Sequence, residues 1–282
     1  MSGTLYLVAT PIGNLEDITL RALRILKQVA LVACEDTRQT KKLLQHYQIA
    51  TPTISYHDHN EQERTPQLLA RLQNGESIAL VSDAGTPMLS DPGHTLVAAA
   101  IQAQIPLVAL PGASALLTAL VCAGLPTETF MFIGFLPAKA GERRKHLKEL
   151  VDQQTTLIFY EAPHRIIPML TDALEILGNC NAVVARELTK IYEEFRRGKL
   201  ATLLEQLQTT PPRGELVVLI DSRSQPIKSV EITSLDMAIT AKMADEQLDR
   251  MAALKAIART LGISKSEAYR RWQAELSENS EV

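Results

Sequence analysis

Ile78-Ala79-Leu80-Val81-Ser82-Asp83-Ala84-Gly85-Thr86-Pro87-Met88-Leu89-Ser90-Asp91-Pro92-Gly93 is the stretch on which the fold turns. A short, wholly apolar, β-prone run breaks without transition into small and polar residues, and a helical pattern follows. That is the signature of a strand buried on both faces that feeds a helix in a parallel α/β sheet. In such sheets ligands bind where strands end, so the loop is the first place to look for a site. Asp83 can accept hydrogen bonds from a ligand there, and Ser82, Ala84, Gly85 and Thr86 are small enough to let backbone approach it. Asp91 reads differently: Asp followed by Pro and a helical run is an N-cap with proline in the first helical position.

Working outward, Leu5 to Ala9, Leu31 to Cys34, Thr53 to Tyr56 and Leu107 to Leu110 are further short strands. Between them lie helical periodicities, such as Leu20, Leu23, Ile25 and Leu26, or Leu68, Leu69 and Leu72 before the stop signal Asn74-Gly75. The alternation predicts an α/β fold with a parallel N-terminal sheet. Beyond Gly124-Leu125-Pro126, the runs Phe130 to Phe135, Leu157 to Tyr160, Ala182 to Arg186 and Leu216 to Ile220 predict a second sheet. The mixed polar and apolar character of Tyr192 to Leu200 suits an antiparallel edge strand, which makes that sheet mixed. The expected domains are 1–121, 122–223 and a helical tail over 235–282, set off by the polar linker Ser222 to Ser234. In the tail, Ser264 and Glu267 form a capping box. The break at Leu261-Gly262-Ile263 fits either a small helix-turn-helix or a helical hairpin packed on the body, with Lys255, Arg259, Lys265, Arg270 and Arg271 as its cations.

With 282 residues, 46% of them hydrophobic, and a net charge of -3, the chain has ample core material and no overall field that would attract a polyanion or a membrane surface. Its beginning, Met1 to Ala9, lacks the basic segment and long apolar run of a signal peptide, and a cytoplasmic protein is expected. The apolar region Leu96 to Leu125 is interrupted by Gln102, Gln104, Pro106, Pro111 and Gly112, and reads as helix, strand and helix rather than a membrane span. Cys34, Cys122 and Cys180 are too scattered for a disulfide framework or zinc site, and the pair His57 and His59 has no third ligand at a recognisable spacing; no metal is expected.

Other strand ends add candidates. Pro11 and Gly13 shape the loop after the first strand, which alone reads as a structural turn. Ser114 and Ala115 follow the strand at Leu107 to Leu110, where Ser114 suits a helix cap or a ligand contact equally. In the second half, Tyr160-Glu161-Ala162-Pro163-His164-Arg165 and Arg186-Glu187-Leu188-Thr189-Lys190 bring many titratable groups to one sheet edge. Glu35-Asp36-Thr37-Arg38 also follows a strand. Such density points to chemistry or to a solvated ion-pair cluster.

Taken together, the Pro11 loop, Ser82 to Gly93, Pro111 to Ala115, Gly134-Phe135-Leu136-Pro137, Tyr160 to Arg165 and Glu187 to Lys190 resemble the tetrapyrrole-methylase family. They resemble most its branch acting on small-subunit ribosomal RNA, over roughly Gly3 to Asp221. The resemblance implies two α/β domains with S-adenosyl-L-methionine in the cleft between them, and 2'-O-methylation of a cytidine in the decoding region of 16S rRNA. It implies a cofactor pocket formed by Pro11, Ser82, Asp83, Ala84, Gly85, Thr86, Ser114, Ala115, Tyr160, Leu188 and Leu216. Glu161, His164, Glu187 and Lys190 are the catalytic candidates, since a base that takes the proton from the ribose hydroxyl should contribute about 10²–10⁴-fold. Arg38, Arg143, Arg144, Lys145, Arg165, Arg186, Arg196 and Arg197 are the candidates for RNA contact, each also readable as part of a solvated face. The expected partner is 16S rRNA or the assembled small subunit, with room for a homodimer. The competing readings are methylation of a tetrapyrrole or modified protein side chain, and a non-catalytic RNA-binding assembly factor on the same scaffold.

Overall fold

The computed structural model describes residues 2–224, 234–246, 248–260 and 264–278. The chain divides into two compact units, Met1–Ser224 and Gln225–Val282. The first unit opens with β1 (Leu5–Val8), α1 (Leu20–Gln28), β2 (Leu31–Cys34), α2 (Thr37–His46), β3 (Thr53–Ser55), α3 (Glu61–Gln73), β4 (Ile78–Val81), α4 (His94–Gln102), β5 (Leu107–Leu110) and α5 (Ala115–Ala123). These five strands form a parallel sheet in the order β3-β2-β4-β1-β5. Every residue of β2 and β4 is buried, which is why both read as unbroken apolar runs. Alternate side chains serve opposite faces. Val32 and Cys34 pack with Ile25 and Leu26 of α1, while Leu31 and Ala33 pack with Leu68 of α3 and Leu96 of α4.

The unit continues with β6 (Phe130–Phe135), α6 (Ala140–Glu149), β7 (Thr156–Glu161), α7 (Ile166–Leu177), β8 (Asn181–Arg186), β9 (Glu194–Lys199), α8 (Leu200–Thr209) and β10 (Leu216–Asp221). The second sheet runs β6-β7-β10-β8-β9. It is mixed, as expected: β6 and β7 are parallel, β10 is antiparallel to both β7 and β8, and β9 is an antiparallel edge. One face is covered by α6, α7 and α8. The other is covered by α5, whose Leu116, Ala119, Leu120 and Ala123 pack on Ile158, Val183, Ala185, Val217 and Leu219. The last helix of the first half thus lies on the sheet of the second.

Arg143 was grouped above with phosphate-binding cations, and the fold corrects this. Its side chain is turned inward and the residue is 6% exposed. Its Nε lies 2.7 Å from Asp172 Oδ2, Asp172 being only 7% exposed, and one terminal nitrogen reaches Ala138 O at 3.1 Å. Arg144 completes the pair from the surface side, 2.9 Å from the other Asp172 oxygen and bonded to Glu175. The charges on α6 that looked like a solvated run instead pin α6 to α7.

The second unit contains α9 (Leu235–Glu246), α10 (Arg250–Thr260) and α11 (Lys265–Glu278) around Ile239, Leu254, Ile257, Ala268 and Trp272. Ser264 caps α11, accepting from Glu267 N at 3.1 Å. Glu267 does not complete the box: its carboxylate takes Arg270 and Arg271 at 2.6 and 3.1 Å. Leu235–Glu246 is a helix that the sequence reading had not singled out. The turn at Gly262 and positions 225–233 of the expected linker lie outside the described residues. No helix among the described residues is long and apolar enough to cross a membrane.

Two outcomes follow. Arg143→Leu leaves the buried Asp172 carboxylate with Arg144 as its remaining cation and should lower unfolding stability by up to about 3 kcal/mol, measured by denaturant titration; a loss below about 1 kcal/mol would mean that Arg144 suffices to compensate the charge. Trp272, the only tryptophan in the chain, lies in the small core of the second unit. On heating, its fluorescence should change before far-UV dichroism is lost, because small units bury too little apolar surface to match large ones. Coincident transitions would show that the units unfold together.

Candidate active site

The strand ends of the first sheet and the matching edge of the second enclose a cavity of about 340 Å³, within the size range of small-molecule sites. From the first sheet come Ile12 after β1, Ala84, Gly85, Thr86, Leu89, Ser90 and Asp91 after β4, and Ser114 and Ala115 at the start of α5. From the second come Phe135, Tyr160, Glu161, Ala162, Pro163 and Leu188 at or beyond the ends of β6, β7 and β8. Because β10 is antiparallel to its neighbours, its beginning reaches the same edge and adds Gly214, Glu215, Leu216 and Val217.

The wall is held by backbone. Thr10 and Gly85 exchange both N–H···O bonds, at 2.9 and 3.0 Å, and Thr86 Oγ1 donates to Ala113 O at 3.1 Å. Gly85 has φ +82°, so a side chain there would be strained. Met88 and Ser90 adopt φ +73° and +68° in the same loop, and Glu187 and Thr189 adopt +50° and +65° in the loop after β8. Left-handed residues other than glycine are sparsely populated, and both of these loops border the cavity.

Of the residues expected to hold a cofactor, Ala84, Gly85, Thr86, Ser114, Ala115, Tyr160, Leu188 and Leu216 line the cavity. Pro11, Ser82 and Asp83 are not among the residues that line it. Ser82 is buried and donates to Gly85 O at 3.1 Å, which fixes the loop. Asp83 is exposed, and its Oδ1 accepts from Asp36 N at 3.0 Å, tying the β4 loop to the start of α2.

Of the catalytic candidates, Glu161 lines the cavity, whereas His164, Glu187 and Lys190 do not. Lys190 Nζ bridges Glu187 at 2.9 Å and Glu215 at 2.8 Å. Burial works to lower its pKa, but bonds to Glu215 and Glu187 outweigh that and leave it raised; Glu187 is lowered, chiefly by Lys190. This bridge clasps the loop after β8 to the residue before β10. Gly13 packs so closely on the β8 loop that a Cβ there would come within 2.5 Å of Lys190 Cγ, and Asn14 N donates to Thr189 Oγ1 at 3.0 Å.

The acid on the wall that sequence reasoning misassigned is Asp91. It does not cap α4, because the cap is Gly93 at φ +138° and the helix starts at His94. Gly93, two residues on, reaches a dihedral closed to aspartate and takes the cap position. Asp91 is half-buried, and burial first, then Glu35, Asp83 and Asp58, push its pKa up to about 6. Burial likewise raises Tyr160, partly offset by the Leu116 backbone, with Asp91 adding to the rise. Glu161 is raised by burial against the Ala162 N–H at 2.8 Å and Arg165 at 3.2 Å. Its Oε2 has no hydrogen-bond partner among the described residues, and neither has Ser114 Oγ, although Ser114 stands in the N-cap position of α5. Buried polar atoms without partners call for a ligand or water.

Most of the cations expected to contact RNA have a partner within the fold, Arg38 while its side chain stays 85% exposed. Arg38 grips Asp36 at 2.7 Å, Arg165 donates to Leu136 O and faces Glu161, and Arg186 donates to Arg213 O at 2.8 Å. Arg196 holds Glu194 at 2.9 Å. Arg197 donates to Cys122 O at 2.6 Å and lies over the Phe195 ring, which fastens the end of α5 to β9. Lys145 is exposed, with no bond recorded among the described residues.

These features define a two-sheet α/β protein with a small-molecule cleft at the converging strand ends. Residues 4–204 match the tetrapyrrole (corrin/porphyrin) methylases, and the chain belongs to that family. It is 50% identical over 230 residues to ribosomal RNA small subunit methyltransferase I of Halalkalibacterium halodurans, covering 82% of this chain and 80% of the relative. It is 44% identical over 273 residues to the protein of the same name from Streptococcus pyogenes serotype M1, covering 96% and 95%. Among solved structures, it superposes on the uroporphyrin-III C-methyltransferase of Thermus thermophilus complexed with S-adenyl homocysteine. There the TM-score is 0.55 and the identity 19%, over 78% of this chain and 98% of that one. It also superposes on a diphthine synthase, at TM-score 0.60 and 14% identity over 77% and 90%. Those two likenesses bear on the fold alone.

The raised pKa of Asp91 carries a stability consequence. Above about pH 6 the folded protein holds a charge that its surroundings disfavour, so this residue's contribution falls as pH rises from the ordinary carboxylate range through about 6. Asp91→Asn should therefore melt no lower than the parent at pH 7, with any gain fading below about pH 4. A lower melting temperature at neutral pH would mean that Asp91 is a structural cap after all.

Proposed function

We propose that the chain is a methyltransferase that uses S-adenosyl-L-methionine to methylate the 2'-hydroxyl of a cytidine in the decoding region of 16S rRNA, in the cytoplasm. Residues 1–121 and 122–223 are read as the two lobes of its cleft, and 235–282 as an appended helical module. The observation that carries the reading is the cavity itself: small residues at strand ends, and two buried oxygens, Ser114 Oγ and Glu161 Oε2, without partners on its wall. Those oxygens suit the hydroxyl and amino groups of the cofactor, and Ala84, Gly85, Ala115 and Gly214 leave space for it. The relatives, methyltransferases of small-subunit ribosomal RNA by name, favour RNA over a tetrapyrrole as acceptor.

When bound, the cofactor supplies an electrophilic methyl carbon on a sulfonium. What the chain must add is position, exclusion of water and a destination for the hydroxyl proton. Asp91 is the residue best suited to receive that proton. It stands on the wall, and a pKa near 6 leaves it largely ionised at neutral pH while making it a stronger base than an ordinary carboxylate. Glu161 is the second acid on the wall and the alternative acceptor. The apolar side chains of Ile12, Leu89 and Leu188 shield the reacting groups from solvent.

The test is single-turnover ribose methylation of small-subunit RNA, mapped by mass. The rate should fall as pH drops through about 6, since protonated Asp91 cannot accept a proton. Asp91→Asn should remove that limb and slow transfer by about 10²–10⁴-fold while leaving cofactor affinity intact. An unaltered rate and profile would transfer the role to Glu161. Cofactor binding without any ribose methylation would point to a porphyrinoid or a modified protein side chain as acceptor, and failure to bind the cofactor would point to an assembly factor.

A further inference from the structure

Phe135 belongs to the Gly134-Phe135-Leu136-Pro137 segment, which the mechanism above leaves without a task. It ends β6 at the cavity rim, lines the cavity, and is 54% exposed. An exposed phenylalanine is ordinary, but the backbone that places this one is not. Between Phe132 and Gly134 the pairing of β6 with β7 slips by one residue, and Gly134 adopts φ +73°. In a regular strand, residues three apart point to opposite faces. Here Phe132 and Phe135 both meet the Tyr160 ring edge-on, with centroids 4.9 and 5.7 Å away. The bulge thus turns Phe135 onto the cavity side, as bulges beside active sites do. Gly134 is also confined: a Cβ there would lie 3.0 Å from Ser90 Oγ, and Ser90 adjoins Asp91. One small assembly therefore fixes both the rim aromatic and the wall acid.

We infer that Phe135 is the platform on which the acceptor nucleobase stacks, which places the ribose hydroxyl beside Asp91. This rests on the reading of the chain as an RNA ribose methyltransferase and adds the element that holds the nucleotide. A cavity of this size does not admit a duplex, so the acceptor nucleotide must leave its stack, and an extruded base needs a flat apolar surface in exchange. Half of Phe135 is free to provide one, while Tyr160 supports it from behind. Because stacking is tolerant of base identity, the platform contributes affinity and position rather than the choice of cytosine.

The test uses the full chain and small-subunit RNA whose methylated nucleotide has been mapped with the parent protein. Phe135→Ala should raise the half-saturating RNA concentration roughly 5- to 150-fold, the range for losing one base–aromatic stack. It should leave calorimetric affinity for S-adenosyl-L-methionine unchanged. With pyrrolocytosine at the acceptor position, the parent should quench its fluorescence on binding and Phe135→Ala should not. Phe135→Trp should restore both properties, and Phe135→Leu, apolar but without a ring, should not. Parent-like behaviour of Phe135→Leu would reduce the residue to an apolar cover. A parallel loss of cofactor affinity would assign it to the cofactor wall. Either result overturns the platform. A parent protein that methylates no RNA, whatever the variants do, would remove the underlying reading and this inference with it.

Discussion

The rest of the structure depends on the burial of one helix. Ala115–Ala123 is nearly all apolar, and its inward residues are spent on the second sheet rather than on the sheet that precedes it. Burying Leu116 and Leu120 is worth about 1.5–3 kcal/mol each, and Ala119 and Ala123 let the helix approach closely, which together fix the approach of two sheets that share no strand. Once α5 lies across β7, β8 and β10, the strand ends of the first sheet face the matching edge of the second. The cavity is the remaining space. Arg197, bonded to the carbonyls that end α5, locks the same packing from outside.

Around that space, the structure accepts local costs. Non-glycine residues with positive φ occur in two bordering loops, a strand bulges at the rim, and an acid is held where its charge is disfavoured. Each is unfavourable by itself and persists only because neighbouring packing over-determines it. The clasp of Lys190 with Glu187 and Glu215 belongs to that supporting frame. It braces the loop after β8 against the start of β10, and Gly13 and Asn14 of the loop after β1 pack on the braced loop from the other sheet.

Much of the fold was legible in the chain. Ile78–Val81 and Leu31–Cys34 are buried on both faces and bounded by polar residues, so hydrophobicity alone delimits them. The site was legible only as strand-end loops. Asp91 was misread because Asp-Pro is a sound local signal for a helix start, and which residue caps α4 depends on how the strained loop before it is folded. Phe135 was hidden for a related reason: strict alternation assigns it a face, and only pairing with β7 reveals the slip. Arg143 reads as a surface cation until α7 brings Asp172 to it. In each case the deciding partner is far away in sequence or set by an unusual dihedral, and neither leaves a periodic trace.

The antiparallel β10 also sets the order in which the protein can be built. It is the last strand in sequence among the described residues, yet it lies between β7 and β8, which touch each other only through it. During synthesis, therefore, the second sheet exists as two separated pieces until Leu216–Asp221 has emerged. Until then α5 lacks Val217 and Leu219 beneath it, and an apolar helix stays partly uncovered. Contacts of such long range are slow to form. Until that point the cleft lacks the wall that Gly214 to Val217 supply, so it cannot be complete before the end of the first unit has been made.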